Sequence, residues 1–183
     1  MRVILALILV VLVAGTAPAK EIAGVKVAPQ VTVNSETLTL NGSGIRKKFF
    51  VKVYVGSLYS ARRLTSGPEA LHDTGDKLIR MAFVYPKVEK EKIVEAFEEG
   101  FGNNTPEITG TAEVKKFLSF FTMDFKAGDE VDIFLGGDGT VTAKHNGKLL
   151  GTLVSRPLAT AILAIYLGEK PADANLKKGM LGK

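Results

Sequence analysis

From residue 20 onward the spacing of apolar positions changes period three times, and the changes predict strands, helices, strands and helices in that order. Residues 25–33 and 37–40, rich in Val and Thr, read as strands, and Asn41-Gly42 supplies the positive φ angles that a tight hairpin turn demands. Residues 45–59 read as one long strand. Its odd positions Phe49, Val51, Val53 and Val55 form an apolar face, while Arg46, Lys48, Lys52 and Tyr54 share the other, as a period of two requires. After a loop containing Gly67-Pro68, residues 77–85 return as a strand.

Residues 89–101 switch to helical spacing, with Ile93, Phe97 and Phe101 four apart and Glu91, Glu95, Glu98 and Glu99 facing elsewhere; Gly102-Asn103 ends the segment. A second helix over 112–121 repeats the pattern with Val114, Phe117, Leu118 and Phe121. Its aromatic stripe reads as core, and both helices are expected to pack on the sheet. Residues 131–135, 140–144 and 148–154 form a meander joined by Gly136-Gly137-Asp138-Gly139 and by His145-Asn146-Gly147. Ser155 is placed to cap a helix with Pro157 in its first turn, and Gly168 to stop it after Leu158, Ile162, Leu163 and Tyr166.

Ahead of these elements stands a different kind of segment. Arg2 gives a positive start, residues 3–13 are an unbroken apolar run, and Ala17-Pro18-Ala19 closes it with small residues, the pattern of a secretory signal peptide over residues 1–19 cleaved after Ala19. The run falls short of the roughly 20 apolar residues of a spanning helix, so no stable membrane anchor is expected. The predicted location is a bacterial periplasm, or more generally secreted. Residues 20–183 then make one domain, large enough to bury its own core. The chain has no cysteine, which removes disulfides, lipoprotein anchoring and thiolate metal sites. Its 24 Lys and Arg against 19 Asp and Glu, one fewer on the basic side once Arg2 is removed, are spread along the chain and do not imply nucleic acid. The densest cluster, Arg46-Lys47-Lys48, borders Phe49, Phe50 and Val51 and belongs to an ordered segment. It reads either as an anion site or as a solvated strand start.

Motifs that carry chemistry on their own are missing. Only His72 and His145 offer imidazole, both in loop-like contexts without a carboxylate at ligand spacing, so neither a metal nor a cofactor is expected. Gly42-Ser43-Gly44 lacks the spacing of a nucleophile elbow, and Ser43 reads as turn chemistry. The glycines at 136, 137 and 139 precede a strand, not a helix, and so read as hairpin glycines and not as a phosphate loop.

Two segments, LNGSGIRKKFFVKVYVGSLY over 40–59 and AIYLGEKPADANLKKGMLG over 164–182, resemble the chalcone isomerase fold family, particularly its bacterial chalcone isomerase-like members. The resemblance runs over nearly all of residues 20–182. It implies an α+β domain, an open-faced β-sandwich with an antiparallel sheet and helices packed on one face, and a small-molecule cleft lined by the basic strand, with Arg46 and Tyr54 at the matching positions. In the plant enzymes a cleft arginine and a threonine, with a tyrosine, an asparagine and a lysine beyond, guide a phenolate onto an enone. Here Tyr54 stands at the threonine position, and residues 87–99 hold neither tyrosine nor asparagine, which leaves the catalytic set incomplete. Losing one oxyanion donor typically costs about a hundredfold in rate.

Tyr54 instead resembles the pattern of fatty-acid-binding members, in which an arginine and a tyrosine grip the ligand carboxylate and the acyl chain enters an apolar cleft. In one flat strand, eight residues span about 26 Å at roughly 3.3 Å each, too far for both side chains to reach one carboxylate. A bulge or sharp bend is therefore required, or one residue leaves the site and Lys48 supplies the cation. Three functions follow as expectations. The first is an exported, noncatalytic carrier or sensor of an amphipathic carboxylate such as a fatty acid, monomeric, with Arg46, Tyr54 and Lys48 as ligand-binding residues. The second is an isomerase (intramolecular lyase) of an unsaturated phenolic substrate, with Arg46 and Tyr54 as catalytic oxyanion stabilisers and Lys52 or Arg80 opposite. The third is an interaction module whose cleft is filled by its own side chains.

Overall fold

The computed structural model describes residues 20–183; the predicted signal segment 1–19 lies outside the described residues. A small hairpin, β1 (Lys20–Ile22) with β2 (Val25–Val27), precedes a seven-stranded antiparallel sheet. That sheet is an uninterrupted meander: β3 (Gln30–Val33), β4 (Glu36–Lys48), β5 (Val51–Ser60), β6 (Lys77–Phe83), β7 (Glu130–Leu135), β8 (Thr140–His145) and β9 (Lys148–Val154). The helices α1 (Gly67–His72), α2 (Lys90–Asn104), α3 (Ala112–Leu118), α4 (Arg156–Leu167) and α5 (Ala174–Met180) fall between or after the strands. They share one core with the inner sheet face, formed by Leu58, Ile79, Met81, Phe83, Val131 and Ile133 against residues of α2, α3 and α4. The predicted aromatic stripe is core as expected: Phe97 meets Phe117 edge-on at 5.1 Å and Phe121 at 5.2 Å. Each such pair contributes about 1 kcal/mol beyond its burial. A smaller cluster, Leu38, Tyr59, Leu78 and Phe134, lies on the outer face.

The meander and the capping of α4 follow the sequence expectation. Ser155 accepts from the Leu158 amide, Pro157 sits in the first turn, and the Gly168 amide closes the last turn on Ala164. Four expectations are corrected. The stretch 25–33 is two strands, because Pro29 offers no N–H and breaks the ladder between β2 and β3. Gly67-Pro68 opens the short helix α1, capped by Ser66, where a loop was expected. Gly102-Asn103 does not end α2, which runs to Asn104 and stops where Thr105 precedes Pro106. The predicted second helix ends at Leu118, and Phe120 and Phe121 are buried beyond it.

The largest correction concerns turns. Asn34-Ser35, both at positive φ, makes the β3–β4 hairpin, and Asn41-Gly42 lies inside β4. Asn41 is an extra residue in the β4–β5 ladder, its side chain 3% exposed. It donates to the carbonyls of Leu64 (2.9 Å) and Met180 (2.7 Å) and accepts from the Leu64 amide (2.7 Å), tying β4 to the β5–α1 loop and to the chain's end. Gly42 and Gly44 serve a close approach of α5. A Cβ at Gly42 would lie 2.2 Å from the Gly179 carbonyl oxygen, and one at Gly44 would lie 2.9 Å from the Leu176 Cα. Ser43 is likewise no turn residue, since it is buried and shares a 2.9 Å hydrogen bond with Ser57.

Candidate functional site

The predicted long strand 45–59 is in fact a hairpin. β4 ends at Lys48, Phe49 and Phe50 make the turn, and β5 returns from Val51. Phe49 takes φ = 56°, a left-handed conformation that costs an L-residue about 1–2 kcal/mol. The register then pairs Arg46 directly with Tyr54, while Lys47 pairs with Lys52, which leaves Val53 as a bulged residue on β5. Directly opposed residues point to the same face with Cβ atoms about 5 Å apart. The spacing that separates Arg46 from Tyr54 along one strand therefore brings them together across two. The apolar face predicted for 49, 51, 53 and 55 does not exist: Phe49 is at the turn, and the turn and bulge reset the alternation.

Arg46 and Tyr54 border a cavity of about 380 Å³ between the inner sheet face, α2 and the end of α4. Val53, Met81, Ile93, Phe97 and Ile165 supply its apolar walls, and Lys48, Phe49, Val51, Tyr85 and Lys87 also border it. The volume falls within the range of small-molecule sites, about 300–1,000 Å³.

Tyr54 is 7% exposed, and burial pushes its phenol up to about 12 even though the Arg46 charge and hydrogen bonding with Tyr166 and Arg46 pull the other way. Tyr166, on α4, is raised well above the usual tyrosine range, first by burial and then by Tyr54. Both phenols are therefore neutral donors at physiological pH and neither is a base. Arg46 donates to the Lys47 carbonyl and lies 3.9 Å from Asp173 Oδ2, too long for a strong ion pair. Asp173 is held by other groups: Oδ1 accepts from the amides of Asn175 and Leu176 at the start of α5, and Oδ2 accepts from the Lys47 amide at 3.0 Å. It balances part of the guanidinium charge without using up its donors. A neutral phenol and an incompletely engaged guanidinium beside a largely apolar cavity can together donate to an anionic group such as a carboxylate.

Of the residues predicted from sequence, Arg46, Tyr54 and Lys48 border the cavity together. Lys52 does not border it, because it pairs with Lys47 on the face opposite Arg46 and is exposed. Arg80 is on the outer face, held by Asp132 at 2.7 and 2.8 Å, and so cannot stand opposite Arg46. Tyr166 and Asp173 were not singled out by chemistry, although both lie within the segment 164–182 that carries the resemblance. Tyr166 reads from spacing as one more apolar position of α4. The imidazoles lie elsewhere: His72 Nδ1 bonds the Pro68 carbonyl within α1, and His145 Nε2 is 3.3 Å from Asp129. Among the described residues no cluster of three or more His, Asp or Glu could hold a metal ion.

Comparison with known proteins identifies the family and the fold. The family model described as chalcone isomerase-like matches residues 19–182. Fatty-acid-binding protein 1 of Arabidopsis thaliana is 27% identical over 108 residues, which cover 56% of this chain and 39% of that protein; the match thus spans about two-fifths of the length of that relative. The crystal structure of the Arabidopsis thaliana fatty-acid-binding protein superposes with a TM-score of 0.68 at 20% identity, covering 87% of this chain and 92% of the other, which establishes a shared fold. With a single family model running from the first described strand to the last helix, the chain belongs to the chalcone isomerase-like family.

Proposed function

We propose that this protein is a noncatalytic carrier of a fatty acid or similar amphipathic carboxylate, bound with its carboxylate at Arg46 and Tyr54 and its acyl chain in the apolar cavity. The observation that carries the reading is the cross-strand pairing of Arg46 with Tyr54 on the border of that cavity. The guanidinium offers a two-pronged donor and the phenol a third, and Val53, Met81, Ile93, Phe97 and Ile165 offer hydrocarbon surface for the chain. The sequence and structure comparisons both return fatty-acid-binding protein 1 of Arabidopsis thaliana, whose name supports the same ligand class. The two residues expected opposite Arg46 in an isomerase, Lys52 and Arg80, lie outside the cavity. We also propose export to the periplasm or beyond, on the pattern of residues 1–19, with a monomeric carrier working there.

A native mass spectrum of the purified chain, taken before and after incubation with long-chain fatty acids, tests the reading. A one-to-one adduct that leaves as the free acid on denaturation is expected. A bare mass under saturating fatty acid, alongside turnover of a phenolic enone, would overturn it in favour of the isomerase.

A further inference from the structure

The β4–β5 turn differs from every other hairpin of the large sheet that the ladder describes. Asn34-Ser35, the Gly136–Gly139 loop and Asn146-Gly147 use small and polar residues, as turn chemistry demands. The β4–β5 turn places Phe49 and Phe50 at the tip, 89% and 98% exposed, with Phe49 in a conformation that suits glycine. Neither ring gains burial in the fold, and the backbone is strained to present them. Val51 (43%) and Tyr85 (42%) extend the apolar surface; the Tyr85 amide bonds the Val53 carbonyl, which sets that ring beside the hairpin. Lys47, Lys48 and Lys52 flank the tip, and among the described residues none of the three takes part in an ion pair. Glu89, which also borders the cavity, is already within 4.0 Å of Lys87.

Exposed rings at the centre with unpaired lysines around them match one environment, the interface of a negatively charged bilayer. There the rings reach the acyl boundary and the ammonium groups stay among the lipid phosphates. We propose that residues 47–52 dock the protein reversibly on anionic lipid bilayers, with Phe49 and Phe50 inserted. Each lysine near such a surface strengthens binding about fivefold, and each inserted ring about tenfold or more. Docking itself does not depend on the carrier reading. One consequence rests on that reading: because Phe49 and Val51 also border the cavity, an inserted tip brings the cavity to the headgroup level, where an acyl chain could pass between bilayer and cavity without crossing water.

The chain contains no tryptophan, so Phe50→Trp is a single-site reporter. The chain from Lys20, which carries every described strand and helix, avoids lipid binding by the apolar run 3–13. With lipid-free protein and phosphatidylcholine vesicles containing about 30% phosphatidylglycerol, Phe50→Trp emission should shift to the blue and be quenched by bromolipids. Flotation should weaken on neutral vesicles, in high salt, and by about tenfold or more in Phe50→Asp and in Lys47→Glu/Lys52→Glu. Emission unchanged by vesicles, or Phe50→Asp floating as well as wild type, overturns the proposal. A concentration-dependent dimer that is lost in Phe50→Asp, without vesicle binding, overturns it in favour of a second copy as the occupant. Phe50 does not border the cavity, so fatty-acid affinity of Phe50→Asp in detergent-free buffer should equal wild type. Vesicle docking without fatty-acid binding would leave this proposal standing and remove the carrier reading.

Discussion

The sheet carries a cavity on each face, about 380 Å³ inside and about 340 Å³ outside, and each is bordered by an arginine with a tyrosine nearby. The outer arginine is used up. Arg80 makes a two-pronged pair with Asp132 and lies 3.5 Å from Glu130, which raises its already high pKa further, and the neighbouring Tyr59 donates to the Ala28 carbonyl. The inner pair is not used up: Arg46 has one carboxylate at 3.9 Å, itself committed to backbone amides, and Tyr54 lies beside Arg46 and the Tyr166 hydroxyl. An arginine whose fork is filled by an aspartate clamps two strands together, whereas one whose fork is left open beside an apolar cavity is prepared for an anion. The volumes alone would not have distinguished the two faces.

Exchanging the two arginines for alanine gives the largest predicted contrast. Arg46→Ala should lower fatty-acid affinity by about two orders of magnitude, as expected when one partner of a buried charged hydrogen bond is removed, with little change in melting temperature. Arg80→Ala should do the reverse: affinity stays within about twofold, and stability falls by roughly 1–3 kcal/mol because Asp132 loses its partner. Calorimetric titration and thermal melts of both variants check this, and equal affinity losses would erase the distinction.

Alkaline titration sharpens the comparison through the tyrosines. Tyr54 holds its proton to about 12 in the fold against 10.0 in the unfolded chain, so the unfolded state loses that proton first. The contribution is fully present below pH 10 and is lost as pH rises toward 12, by roughly 2–3 kcal/mol. Denaturant unfolding between pH 9 and 12 should therefore slope downward, and more gently in Tyr54→Phe. A somewhat smaller effect, about 1–2 kcal/mol or five- to thirtyfold in affinity, is expected for Tyr54→Phe binding fatty acid at neutral pH, where it removes one donor and keeps the ring. The smallest is Phe49→Gly, which relieves the left-handed strain and should raise stability by about 1 kcal/mol in equilibrium unfolding. A loss instead would mean that the exposed ring supports the fold.

The sequence made the meander, the capped helix α4 and the phenylalanine core legible, because each rests on local chemistry that the packing agrees with. Two of the places where it misled lie within ten residues of one another and fail in opposite directions. Asn41-Gly42 has the chemistry of a turn but lies in a strand, since only glycines admit α5 so close and only a bulged side chain can bind Leu64 and Met180. Phe49-Phe50 lacks that chemistry but forms the turn, since what the tip presents differs from what a turn prefers. Local rules break where a residue serves tertiary contact or an outside surface. Arg46 and Tyr54 were legible through the family resemblance, but the hairpin that joins them was not. Tyr166 was hidden because a buried phenol on a helix face looks like any other apolar position.

A crystal structure with a fatty acid carrying bromine at its terminal carbon tests the central claim most directly, because anomalous scattering locates the tail and the density locates the carboxylate. The account predicts the carboxylate within hydrogen-bond reach of Arg46 and the Tyr54 hydroxyl, with the bromine among Ile93, Phe97 and Ile165. A ligand lying in the outer cavity beside Arg80, or a tail against Arg46 with the carboxylate in solvent, would contradict it.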